Sequence, residues 1–106
     1  MSFAARAVAT AAIAFAAGLA LAGAPASVDI AKFAFAPNDI TVTPGTTVVW
    51  TNHDETPHQV AASGKAFVSP AMDTNDRFEY TFTVEGDFAY FCTLHPFMTG
   101  VVHVRK

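Results

Sequence analysis

The stretch Gly86 to Gly100 leaves this chain few options. It reads Gly-Asp-Phe-Ala-Tyr-Phe-Cys-Thr-Leu-His-Pro-Phe-Met-Thr-Gly and carries the only cysteine of the protein, Cys92. His95 follows three residues later, and Met98 three after that. A thiolate, an imidazole and a thioether on one short loop are soft or borderline donors, which a hard, oxygen-seeking ion does not select. A second imidazole is at hand in Thr56-Pro57-His58-Gln59-Val60, between two strand-like segments. Two histidines, one cysteine and a weakly bound methionine suit a single copper ion that changes its charge by one electron. The bland alternative for Cys92 is a buried, inert thiol packing as a small hydrophobe.

The rest of the chain narrows the setting. Its 106 residues suffice for one domain, and a formal charge of -3 suggests neither nucleic acid nor an anionic membrane surface as partner. Residues 1–26 differ in composition from the remainder of the chain. Arg6 is their only charge, Ala7 to Ala22 is an alanine-rich apolar run, and Ala20-Leu21-Ala22 and Ala24-Pro25-Ala26 are cleavage-site patterns. This is the three-part design of a secretory signal, expected as a helix, with Ala26 as its end. The apolar run is short for a membrane span of about 20 residues, so no stable membrane insertion is expected after processing. Export agrees with the cysteine count, because an unpaired cysteine in a secreted domain needs a reason.

Residues 27–106 alternate between strands and turns. Val28, Ile30, Phe33 and Phe35 form a first apolar segment of imperfect alternation, and Pro37-Asn38-Asp39 is a turn signal. Ile40 and Val42 alternate with threonines as in a half-buried strand. Pro44-Gly45 is a turn dipeptide, and the β-branched and aromatic run Thr46 to Asn52 predicts a central strand. His58 is expected to open a strand through Ala61, and Ala66 to Asp76 to be mostly loop. Phe78, Tyr80, Phe82 and Val84 alternate with polar residues, the clearest strand pattern in the chain. Phe88, Tyr90 and Cys92 share one face, which aims the thiol into the fold. Val101 to Val104 closes the chain as a strand. Asp54 and Glu55 read as a solvated loop, Met72 as loop packing, and His53 and His103 as solvent-facing. The expectation is an all-β chain: a small Greek-key β-sandwich of about six to eight strands.

These motifs carry a resemblance. Cys92-x2-His95-x2-Met98 with Pro96 and Phe97, together with Phe35-x-Pro37, Pro44-Gly45, Val49-Trp50-Thr51-Asn52 and Pro57-His58, resembles the cupredoxins, the type 1 blue copper proteins. The loop is similar to the short amicyanin type, with Leu94 where that type usually carries proline. The resemblance covers roughly Ala34 to Val104. It implies one copper held by His58, Cys92, His95 and Met98, with Asn52 tying the two ligand loops together. It further implies a monomeric, periplasmic one-electron carrier that is not an enzyme. Its partners would be redox proteins, such as a dehydrogenase donor and a c-type cytochrome acceptor, docking on the apolar surface of Pro57, Leu94, Pro96 and Phe97. A copper-binding or copper-delivery protein on the same domain is the alternative reading.

Overall fold

The computed structural model describes residues 24–106. The signal expected over residues 1–26 therefore lies outside the described residues, apart from its last three. Eight strands are present: β1 (Ala26–Ala31), β2 (Ala34–Ala36), β3 (Asp39–Val42), β4 (Thr46–Asn52), β5 (Ala61–Ala62), β6 (Arg77–Phe82), β7 (Gly86–Phe91) and β8 (Thr99–Val104). They form two four-stranded sheets, in the orders β2-β1-β4-β6 and β3-β8-β7-β5. The expected all-β sandwich is present, and among the described residues there is no helix.

Local chemistry explains the elements. β4 is where the β-branched run predicts it and lies inside its sheet, parallel to β1 and antiparallel to β6. The Pro44-Gly45 turn that launches β4 needs a left-handed residue, and Gly45 supplies it at φ 94°. Trp50 of β4 is fully buried and packs against Phe67, Phe78, Phe82 and Tyr90, with ring centroids 5.4–6.5 Å away. Fully burying an aromatic or aliphatic side chain contributes about 1.5–3 kcal/mol, so this cluster from both sheets is what clamps the layers together.

The first apolar segment is two strands, not one. The chain reverses at Lys32 and Phe33, which both take left-handed backbone angles, φ 54° and 57°. β2 returns along β1 with Ile30 opposite Phe35. That reversal is why the alternation breaks at Phe33. The predicted strand from His58 to Ala61 shrinks to Ala61–Ala62, with isolated bridges from His58 to Met72 and from Ala61 to Val68. β6 stops at Phe82, and Val84, expected on the inner face, is 67% exposed.

Candidate metal centre

The loop after β7 folds back on itself through its own backbone. The Cys92 carbonyl accepts from the His95 N–H, the His95 carbonyl from the Met98 N–H, and the Met98 carbonyl from the Cys92 N–H. Two residues between successive donors give turns of just this span, so Cys92, His95 and Met98 surround one small space. Cys92 is fully buried, Met98 is buried and His95 is half-buried.

His58 meets this loop from the other side of the sandwich end. Its backbone pairs reciprocally with Met72, and its side chain is completely buried. His58 Nδ1 and His95 Nδ1 stand 3.2 Å apart, and each lies 3.8 Å from the Cys92 Sγ. These three donors are the potential metal cluster among the described residues. The triangle they form has a centre roughly 2.1 Å from each atom, inside the range of about 2.0–2.3 Å of metal–nitrogen and metal–sulfur bonds to a comparable divalent ion. The donor set and its spacing fit a copper ion bound by two imidazoles and a thiolate.

The surroundings hold the donors in place. The Gln59 N–H donates to the Cys92 sulfur at 3.3 Å. The Gln59 side-chain amide donates to the Ser69 carbonyl, and its oxygen accepts from the Thr93 hydroxyl. His58 turns its Nε2 to the Asp54 carboxylate at 2.8 Å, which leaves Nδ1 free for the metal. Asp54 also accepts the backbone N–H groups of Lys32 (2.7 Å) and Phe33 (3.0 Å). Partial burial works to raise the Asp54 pKa, but the Phe33 and Lys32 amides and His58 outweigh it, and the carboxyl sits below its ordinary value. The Phe33 ring completes the shell. Its centroid is 5.0 Å from both imidazoles and its plane stands at 87° to each.

Several sequence expectations change here. Asp54 belongs to the site and not to a solvated loop. Its sequence neighbours gave no sign of this, although its i,i+4 spacing to His58 is a weak one. Asn52 ties different segments from those expected: its amide donates to the carbonyls of Thr56 and Met72, and its oxygen accepts from the Asp54 N–H. The link to the cysteine loop is made by Gln59. Met72, expected to pack within its loop, is buried in the core of the sandwich. His53 is half-exposed and pairs with Asp29 at 2.9 Å, and His103 lies between two aspartates.

Fold and site together define a β-sandwich metalloprotein of the blue copper type, and residues 22–105 match the model of the copper binding proteins, plastocyanin/azurin family. The chain belongs to that family, and its cofactor is copper, one ion per chain. Within it, the chain is 38% identical over 105 residues to amicyanin-alpha of Methylorubrum extorquens, covering 92% of this chain and 88% of that one. It is 37% identical over 83 residues to amicyanin of Paracoccus denitrificans, covering 74% of this chain and, at 63%, a little under two thirds of that one. A Cu(I) form of a mutant amicyanin superimposes with a TM-score of 0.73 at 37% identity, over 76% of this chain and 82% of that chain.

Proposed function

We propose that the chain is an exported one-electron carrier whose copper is held by His58, Cys92, His95 and Met98. The observation that carries this reading is the closure of Cys92 Sγ and two imidazole Nδ1 atoms around one point at the buried end of the sandwich. Copper in such a site supplies a reversible couple between Cu(II) and Cu(I). The chain's part is to keep the donors still while the charge changes. Cys92 is fixed by the Gln59 amide, and His58 by Asp54 and its backbone pairing with Met72. Ligands held this way move little on electron transfer, which favours a fast exchange.

The electron's exit is His95, the half-buried imidazole. Around it Leu94 is 51% and Phe97 72% exposed, and Pro57 and Pro96 are exposed as well. A small apolar patch suits the brief encounters of redox proteins, with a dehydrogenase as donor and a c-type cytochrome as acceptor. The complete burial of His58 and Cys92 favours a carrier that keeps its metal over a copper-delivery protein. A catalytic copper protein would need further histidines, and the two that remain, His53 and His103, are engaged by aspartates. The working compartment is the periplasm, reached by an N-terminal signal. Cleavage after Ala26 would remove only the first residue of β1, Ala26, which pairs with Val48, and leave the strand from Ser27 onward.

The test is the optical spectrum of the Cu(II) protein. An intense blue band from sulfur-to-copper charge transfer is expected, absent from a folded Cys92→Ser variant. Repeated reduction and reoxidation without copper loss separates the carrier from the delivery protein. Met98→Leu should keep the band and raise the potential. A colourless Cu(II) protein removes the assignment.

A further inference from the structure

We infer that Phe33 is the lid of the metal centre: a positioning residue that holds both imidazoles edge-on and closes the site against solvent. The inference rests on the copper reading above and adds a residue outside its ligand set. Lys32 and Phe33 occupy left-handed backbone angles that β-carbon sterics disfavour, and glycine or asparagine would form the same turn more easily. Such a conformation persists where the surroundings over-determine it, and it points to a local function. Here the surroundings are explicit. One carboxylate, Asp54, accepts both turn amides and also the Nε2 side of His58. The turn that carries Phe33 is thereby registered against a ligand ring.

The turn itself has no use for an aromatic side chain, but the site does. The Phe33 ring meets His58 and His95 at the same centroid distance, 5.0 Å, and the same 87° angle. Edge-to-face contacts of this kind are favourable in their own right. Phe33 is 39% exposed, so its ring stands at the surface of the site while touching both imidazoles. His95 is the donor nearest the surface, and any outward swing of its ring must displace Phe33. Phe33 therefore slows release of the metal and limits the freedom of His95.

The experiment compares Phe33→Ala, Phe33→Leu and Phe33→Tyr with the parent protein, each checked for its fold by circular dichroism. In the first arm the Cu(I) proteins meet an excess of a Cu(I) chelator. Release is expected to quicken at least tenfold in Phe33→Ala, less in Phe33→Leu, and to return to the parent rate in Phe33→Tyr. An unchanged rate in Phe33→Ala overturns the lid. The second arm follows the His58 and His95 ring protons of the metal-free proteins by magnetic resonance. A ring-current displacement in the parent that vanishes in Phe33→Leu and survives in Phe33→Tyr is expected. Identical histidine resonances in parent and Phe33→Leu overturn the contact itself. Because this arm contains no copper, it stands even if the parent protein shows no blue band, and the two readings fail separately.

Discussion

The backbone N–H of Gln59 lies 3.3 Å from the Cys92 sulfur, so the residue next to one histidine in sequence solvates the thiolate that the other loop presents. A hydrogen bond draws electron density from a thiolate and weakens its donation to the metal. The oxidised ion needs that donation more than the reduced one does. Gln59→Pro removes this donor and should lower the potential. A charged hydrogen bond contributes about 1.5–3 kcal/mol, and each kcal/mol that separates the two oxidation states moves a one-electron potential by roughly 40 mV. Voltammetry reads the shift, and an unmoved potential would mean that the amide does not act on the sulfur.

Asp54 accepts from three groups, the Lys32 and Phe33 amides and the His58 ring, and removing it should have two separable effects. The Lys32–Phe33 turn loses both of its amide acceptors, and His58 loses the partner that fixes its ring. Loss of a carboxylate behind a ligating histidine lowers metal affinity by about 10–100-fold. Asp54→Ala is therefore expected to bind copper that much more weakly in a chelator competition. It should also unfold at lower urea, with about 0.5–1.5 kcal/mol lost per hydrogen bond at most, since the two turn amides are exposed and water can take the place of the carboxylate. Asp54→Asn keeps an acceptor for the turn and should recover more of the stability than of the affinity.

How much of this was legible in the sequence depends on how local each signal is. The candidate site's second half was legible because Cys92, His95 and Met98 are neighbours in the chain, and the loop's own backbone turns follow their spacing. β4 was legible because Thr46 to Asn52 is β-branched and aromatic throughout. The Phe33 turn was not, since lysine and phenylalanine have no preference for left-handed angles and only the distant Asp54 holds them there. The parallel pairings of β1 with β4 and β3 with β8 were equally hidden, because they join segments with no shared local pattern. Asp54 looked solvated for the same reason: its partners Lys32 and Phe33 lie 22 and 21 residues away in sequence.

Gly100 stands beside Tyr90 across the β7–β8 ladder, and the tyrosine ring fills the space a β-carbon would need. A β-carbon built at Gly100 would run into Cζ, the hydroxyl oxygen and Cε2 of Tyr90, closer than real β-carbons come to their neighbours. Tyr90 cannot retreat easily, because it is 1% exposed and packed edge-on against Trp50 and Phe35. Burial also pushes its phenol up to about 12, so it remains a neutral packing group at any working pH. Gly100→Ala should destabilise the fold by about 1–3 kcal/mol, the usual range for overpacking. Because Met98 lies two residues before Gly100, the blue spectrum should change as well. A chemical denaturation curve unchanged from the parent would show that the ring moves freely.

His103 gives the outer face of the second sheet a dependence on pH. On β8 it lies between β3 and β7, with Nε2 3.1 Å from Asp39 and Nδ1 2.7 Å from Asp87. Arg105 reaches Asp87 at 2.7 Å as well. The hydrogen bond to Asp87 raises the His103 pKa above its ordinary 6.5; desolvation opposes it, and the hydrogen bond to Asp39 adds to the rise. The Asp87 carboxyl is lowered below its ordinary 3.8, first by His103 and then by Arg105. A raised histidine stabilises the fold while it is protonated in both states, and that gain fades as pH climbs through its folded pKa. A lowered carboxylate stabilises the fold above its unfolded pKa, and that gain fades as pH falls through its folded value. The two windows overlap between about pH 4 and 6, where the imidazolium faces the charged Asp87 carboxylate. The contribution should decline from near neutrality upward. Asp87 is well exposed and His103 half-buried at the surface, so the effect is modest and weakens with added salt. The measurement is the urea midpoint from pH 4.5 to 8.5, taken as the difference between the parent and His103→Gln in order to cancel His58 and His95. The difference should be largest at the acidic end and shrink toward pH 8.5. A difference constant across the range would mean that His103 contributes by packing and not by charge.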